Sequence, residues 1–265
     1  MFVFAHVSDI HLGHLGHPGR DESDGGVRAR ERTERVLRYL DQLPGELDAV
    51  LLTGDIADHG TPQEYEEAAK LLAGSRHTPL HCPGNHDARG PYRAGLLGGD
   101  PTDAAPVNQL HVLPGGTFAM CDSSIPGRGD GYLDDGTLDW LDHALSGAPH
   151  DRPAFVCFHH PPVPLHGQYV DPIRQFGEDR LAAVVARHPH VAALLCGHSH
   201  TPAVTTFAGR PLVAAPGVVS TLKMPWEGEA GGPVDYALPP MLAFHVHEDV
   251  HDNGGRLTTH FRVVP

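Results

Sequence analysis

Two hydrophobic periods alternate along the chain. Residues 2–7 are a short apolar run broken only by His6, the pattern of a strand buried on both faces, and a loop rich in Gly, His and Asp follows to about Gly26. Over residues 28–43 the apolar positions Val36, Leu37, Leu40 and Leu43 stand among charges, which predicts an amphipathic helix. Its arginines interleave with glutamates and read as a solvated face. Residues 48–53 predict a second buried strand. Thr61-Pro-Gln-Glu64 is a helix start, with a hydroxyl cap, proline at the first helical position and a glutamate closing a capping box, and Gly74 ends that helix. Three more strands are predicted at 79–82, 117–122 and 154–158. Residues 134–145 predict a short helix with Leu138, Leu141 and Leu145 on one face, and 178–187 a helix leading into the strand 191–196.

After residue 201 the pattern changes to strands joined by turns, at 203–207 and 211–215. Residues 217–240 are rich in Gly and Pro and read as a long loop or small cap in which Trp226 and Tyr236 either pack, close as a lid or meet a second subunit. Two last strands, near 241–247 and 257–264, flank the turn Asp-Asn-Gly-Gly. The whole reads as one layered α/β domain, with residues 1–216 as its core and residues 217–265 as a loop or cap segment plus terminal strands completing it.

Composition narrows the function. The chain has 265 residues, the size of one α/β domain with a large core. Nineteen basic against thirty-three acidic residues give a net charge of −14, and Lys70 and Lys223 are the only lysines, so no groove for a nucleic acid polymer is expected. The four cysteines are widely spaced within apolar runs and read as small buried thiols rather than a zinc ribbon or a disulfide framework. The first residues lack the basic flank and cleavage site of a signal peptide, and no run of about 18 apolar residues is long enough to span a membrane. A cytoplasmic protein with no membrane contact is expected.

Five segments place metal-ligand residue types just past an apolar run: Ser-Asp-Ile-His (8–11), Gly-Asp-Ile-Ala-Asp (54–58), Gly-Asn-His-Asp (84–87), Phe-His-His-Pro-Pro (158–162) and Gly-His-Ser-His (197–200). Alone, each is weak or moderate. All five in this order point to a metal site, because α/β sheets gather functional residues at the carboxyl ends of their strands. Asp9 and His11, two apart at a strand end, are expected to face the same way.

This series resembles the calcineurin-like metallophosphoesterase superfamily, and within it the class III cyclic-nucleotide and glycerophosphodiester phosphodiesterases. His-His-Pro-Pro-Val-Pro-Leu (159–165) and Asp-Pro-Ile (171–173) extend the likeness, which covers most of residues 3–216. The resemblance implies a four-layer α/β/β/α sandwich with a small C-terminal β cap or extension, and a binuclear site. Asp9, His11 and His200 would hold one ion, Asn85, His159 and His198 the other, and Asp55 would bridge them. Serving different ions would require Gly197 to bend the chain before His198 and His200. Donors without thiolate favour Mn or Fe, with Zn or Co as alternatives. A metal-bound hydroxide would attack small phosphodiesters, such as 3′,5′- or 2′,3′-cyclic nucleotides and glycerophosphodiesters. His86, outside the ligand set, would stabilise the transition state or protonate the leaving group, with Asp87 accepting from its other ring nitrogen.

Two divalent ions, Asp9, Asp55 and one hydroxide leave a single net positive charge, which suits a diester. A monoester dianion would want a further cation, and only Arg89 and Arg93 lie near Asn85 in sequence. A phosphomonoesterase or protein phosphatase, and a non-catalytic metal-binding scaffold, are the alternatives. Asp58 is expected to support ligands rather than bind metal, His160 to pack beneath the site, and His14 and His17 to be solvated. The resemblance also implies a homodimer or higher oligomer.

Overall fold

The computed structural model describes residues 1–14, 27–228, 230, 232–248 and 255–265. His17 and most of the predicted Asp-Asn-Gly-Gly turn lie outside the described residues. The chain runs Phe2–Val7 (β1), Val27–Asp41 (α1), Ala49–Thr53 (β2), Pro62–Ala73 (α2), Leu80–Cys82 (β3), Arg89–Leu97 (α3), Gln109–Leu113 (β4) and Gly116–Met120 (β5). It continues through Gly131–Tyr132 (β6), Asp135–Gly147 (α4), Ala154–Cys157 (β7), Gln175–Phe176 (β8), Glu178–Arg187 (α5) and Val191–Cys196 (β9). Ala203–Phe207 (β10), Arg210–Ala214 (β11), Thr221–Leu222 (β12), Val234–Asp235 (β13), Met241–Glu248 (β14) and Arg256–Val263 (β15) complete it.

Two large sheets form, ordered β15-β14-β1-β2-β3 and β10-β11-β9-β7-β5-β4. Their faces are sorted by the two-residue period of each strand. In β1, Phe2 and Phe4 point between the sheets, where they pack with Leu51, Phe118, Phe155 and Leu195; Ala5 and Val7 point the other way, onto Val36 and Leu40 of α1 and Tyr65 of α2. Beyond the second sheet, Leu138, Leu141 and Leu145 of α4 and Leu181 and Val185 of α5 cover Ala119, Val156 and Leu194. Helices, sheet, sheet, helices: the molecule is an α/β/β/α sandwich. All four cysteines are buried and free. Among the described residues no helix is long and apolar enough to cross a membrane.

The capping box of α2 forms as spelled, with the Glu64 amide donating to Thr61 Oγ1 and the Thr61 amide to the Glu64 carboxylate at 2.8 Å. Helix α3 is not predicted by its sequence, because Gly90, Pro91 and Gly95 are poor helix formers. Packing makes it: Tyr92 is buried edge-on against Tyr65, and a Cβ on Gly95 would fall 2.6 Å from Tyr65 Cβ. The 217–240 segment holds more order than a loop, with β12 pairing antiparallel to β13. Of the chain's last residues, β14 pairs antiparallel with β1 and β15 with β14, so that β15 forms the edge of the first sheet.

Candidate metal centre

Strands β1, β2 and β3 run parallel, as do β5, β7 and β9, so their carboxyl ends open on one edge. From that edge come Asp9 and His11 after β1, Asp55 after β2, Asn85 after β3, His159 after β7 and His198 and His200 after β9. The pleat does not aim them. Asp9, His11, Asp55, His198 and His200 all have positive φ, and they are five of the seven such non-glycine residues among those described. Each such residue costs about 1–3 kcal/mol and persists only where its surroundings fix it. The expectation that Asp9 and His11 align by strand alternation is therefore corrected: β1 has ended at Val7, and a loop with both residues left-handed brings them together. Backbone bonds clamp these loops, with the His11 amide donating to the Asp55 carbonyl at 2.9 Å, Gly197 to His159 at 3.0 Å and Val219 to Asp9 at 3.1 Å. Gly197 fits because a Cβ there would lie 1.9 Å from Ser8 Oγ.

The donors converge in four overlapping groups, one of which brings His86 within reach of His11 and Asp58. Asp9, His11 and His200 offer atoms within mutual reach, as do Asp9, Asp55 and His159. His11 Nε2 is 3.2 Å from His200 Nε2 and 3.4 Å from Asp55 Oδ2. His200 Nε2 is 3.4 Å from Asp9 Oδ1, His159 Nε2 is 3.2 Å from Asp55 Oδ2, and His198 Nδ1 is 3.3 Å from His159 Nε2.

The other ring nitrogens decide what these contacts are. His11 Nδ1 donates to Asp58 at 2.9 Å and His159 Nδ1 to the Thr53 carbonyl at 2.7 Å, which leaves a lone pair on each Nε2. His200 Nδ1 meets Ser220 Oγ at 2.9 Å. Lone pairs and carboxylates thus face one another in a buried space, while Asp9 Oδ1, Asn85 Oδ1 and His198 Nε2 have no hydrogen-bond partner. A nitrogen and oxygen set of this kind fits divalent cations, which turn opposed acceptors into shared ligands. The titration of the centre agrees. Against its burial, Asp55 and Asp9 push the His159 imidazole up to about 9: the two carboxylates call for positive charge at Nε2, which a bound cation would supply in place of a proton. Burial lowers His200 to about 4 and His198 also falls, both remaining neutral donors.

Neighbouring residues show what the motifs concealed. His160 is buried with its ring 4.6 Å from that of His198, its Nδ1 2.9 Å from Ser123 Oγ and its Nε2 unpartnered, and it groups with His159 and His198 within ligand reach. Asp58 accepts from His11 and also contacts His14 Nδ1 at 3.2 Å; His14 Nε2 in turn meets the Tyr236 hydroxyl at 2.9 Å. His14 is thus built into the site's support, and Tyr236 packs on its own chain. The His86 amide donates to Asp55 at 3.0 Å, and its side chain is 40% exposed.

The pairing of His86 with Asp87 is not what the structure holds. His86 Nδ1 donates to the Asp58 carbonyl at 2.7 Å. The Asp87 carboxylate accepts instead from the amides of Ile56, Ala57 and Gly84 and from the Tyr65 hydroxyl, all within 3.1 Å, and it ties the loops after β2 and β3 together. Burial and Asp55 raise it to about 6. Arg89 and Arg93 are engaged as well. Arg89 pairs with Asp122 at 2.7 Å and donates to the carbonyls of Ala104 and Ser124, and Arg93 donates to those of Asp103 and Ala105.

A four-layer sandwich carrying such a donor cluster at one strand edge defines a metal-dependent phosphoesterase fold. The chain belongs to the Calcineurin-like phosphoesterase family, which it matches over residues 2–202. It is similar to the glycerophosphodiester phosphodiesterase GpdQ of Enterobacter lignolyticus (strain SCF1), 32% identical over 253 residues that cover 92% of this chain and 86% of that protein. A probable cyclic nucleotide phosphodiesterase of Rhodococcus erythropolis is 36% identical over 214 residues, 79% of this chain and 68% of that one. In fold the chain is similar to a dimetal phosphatase from Danio rerio, with a TM-score of 0.68 at 16% identity over 100% of this chain and 96% of that one.

Proposed function

We propose that this protein is a binuclear metal-dependent phosphodiesterase acting on small phosphodiesters of the cyclic-nucleotide or glycerophosphodiester kind, the substrates named for its relatives. In this reading Asp9, His11 and His200 hold one ion, Asn85, His159 and His198 the second, and Asp55 is shared. Two divalent ions, Mn or Fe before Zn or Co, supply Lewis acidity and a water of lowered pKa at neutral pH. His86 stands outside this set: with Nδ1 donating to the Asp58 carbonyl, its Nε2 is left for a substrate oxygen. Against desolvation, Asp55 and Asp58 raise its affinity for a proton, which suits a group that delivers one to a departing alkoxide. A cleft of about 380 Å³ bordered by Asn85, His86, Ser124 and Pro126 gives the leaving group room.

One observation carries the choice of diester over monoester. Arg89 and Arg93, the cations nearest Asn85 in sequence, are committed to Asp122 and to carbonyls, so neither stands ready for a second phosphate charge. The test is hydrolysis of bis-p-nitrophenyl phosphate and p-nitrophenyl phosphate by metal-stripped protein, with and without added Mn²⁺. Restoration by Mn²⁺ with the diester strongly preferred is expected. A preferred monoester would make the protein a phosphomonoesterase, and cleavage of neither would make it a scaffold.

A further inference from the structure

Helix α1 buries a cation. Arg32 shares the inner face of the helix with Val36 and Leu40 and is only 8% exposed. Burial lowers its pKa to about 10, with Arg28 and Arg35 adding to the fall and Asp235 opposing it. Among the described residues its Nη2 has no hydrogen-bond partner. A guanidinium placed this way is a cost to the fold, so what its other nitrogens hold is informative. Its Nε donates to the Val218 carbonyl at 2.6 Å. That carbonyl and the Val219 amide are the two ends of one planar peptide unit, and the Val219 amide donates to the Asp9 carbonyl at 3.1 Å. A donor that polarises one end of a peptide strengthens the bond made at the other. The flanking residues grip the same loops: Gly217 donates to the His200 carbonyl at 2.9 Å, Val218 to that of Ser8 at 3.0 Å, and Ser220 Oγ meets His200 Nδ1 at 2.9 Å. Asp9 and His200 have φ of 56° and 52°, backbones that persist only where neighbours fix them. Arg32 anchors the stretch of chain that does the fixing.

A second line of contacts leads from the same helix to His11. Arg32 Nη1 reaches the Tyr236 carbonyl at 3.4 Å, and Arg28, one turn earlier, donates to that carbonyl as well. The Tyr236 ring stacks on His14 with centroids 5.5 Å apart, its hydroxyl meets His14 Nε2, and His14 shares the Asp58 carboxylate with His11. Both ends of the cap are therefore tied to α1 on one side and to Asp9, His11 and His200 on the other. Those three are the residues assigned above to the first ion, and none of these contacts includes Asn85, His159 or His198.

We propose that Arg32 is a positioning residue of the metal centre: by holding the Val218 peptide and the Tyr236 carbonyl it fixes the cap against Asp9, His11 and His200, and so sets the affinity for the first ion. The inference rests on the binuclear reading above. Arg32 acts through other residues and does not itself bind metal.

The test is calorimetric titration of metal-stripped protein with Mn²⁺, in wild type and in two backgrounds that each leave one site: Asn85→Ala keeps the first and His11→Ala the second. In the Asn85→Ala background, Arg32→Met should weaken the remaining ion about ten-fold or more, the effect of losing a group that orients a ligand. Arg32→Gln places its amide nitrogen where Nε stood, still able to donate to the Val218 carbonyl, and should recover part of that loss. In the His11→Ala background neither change should move the affinity by more than about two-fold, as for sites that share no partner. Equal losses in both backgrounds would make Arg32 a support of the fold as a whole, and an unmoved first ion would remove it from the site; either result overturns the proposal. So does a Gln variant as weak as the Met variant, because the donor is what the geometry assigns. If wild type takes up no Mn²⁺, the binuclear reading falls and this inference with it, whereas two ions in wild type with unaltered affinities in the Arg32 variants sink the inference alone.

Discussion

What separates a working histidine from an ordinary one in a chain with 22 of them is the partner of its second nitrogen. His11 and His159 each have Nδ1 committed to an acceptor, which fixes the lone pair that faces the centre. Asp58 does this for His11, and its carbonyl orients His86, so one residue serves both a candidate ligand and the candidate acid. Asp58→Asn should therefore weaken metal binding about 10–100-fold, the usual effect of losing a group that orients a ligand, as read by competition with a chelator. Unchanged affinity would remove Asp58 from this role. His86→Ala should lower turnover about 10²–10⁴-fold, the range for general acid–base catalysis, while elemental analysis still finds about two ions per chain; loss of both ions with activity would make His86 a ligand. The sequence made the donor types legible, because each segment that carries them stands just past an apolar run, and Asp55, Asn85 and His198 each directly follow a glycine. It misled over Asp87, since adjacency to His86 suggested a pair, whereas the partner of His86 comes from the loop after β2, 28 residues away.

At the level of elements, strands and helices with strong local signals were readable: the apolar runs of β1, β2 and β9 and the capping box of α2 formed where their residues placed them. Helix α3 and edge strand β4 were not, because α3 depends on contact with Tyr65 and β4 alternates half-buried with exposed residues as one partner of β5. The left-handed candidate ligands were equally hidden, since nothing in the spacing of Asp-x-His or His-x-His announces a positive φ. The glycines beside them give a sharper test. Gly54 has φ +91° and a Cβ there would lie 2.5 Å from His159 Nδ1, the atom bonded to the Thr53 carbonyl. Gly54→Ala must strain the backbone and also displace His159. We expect a loss of more than about 1 kcal/mol in stability together with loss of one bound ion, measured by urea titration and elemental analysis on the same preparation. A destabilised protein that retains both ions would show that His159 does not hold metal.

Across the whole molecule, the two sheets meet on aromatic side chains, yet one row of polar groups crosses the inner face of the first sheet beside them. Thr53 on β2, His6 on β1, His245 on β14 and Thr259 on β15 are linked by contacts of 2.9, 3.2 and 2.9 Å. Both histidines are fully buried, and the row fits neutral rings: one proton lies between His6 Nδ1 and His245 Nε2, and each outer hydroxyl rotates to suit the nitrogen it meets. Burial lowers His6 to about 3 and takes His245 well below its ordinary value, with the neighbouring His6 adding to the shift. In the unfolded chain both would take up protons near pH 6.5. Between that pH and the folded values the unfolded state binds more protons, so stability is fully present above about pH 6.5 and falls as the solution is acidified. His6 alone should remove roughly 2 kcal/mol between pH 7 and pH 5, with His245 adding in the same direction. The comparison that isolates the row is urea unfolding of metal-free wild type against the double variant His6→Asn, His245→Asn, whose amides can still hydrogen-bond but do not titrate. The variant should be less stable at pH 7 and lose less between pH 7 and pH 5. Parallel profiles would mean that the row takes up protons as readily in the folded protein as in the unfolded chain, and that the sheets tolerate buried charge next to their aromatic interface in acid.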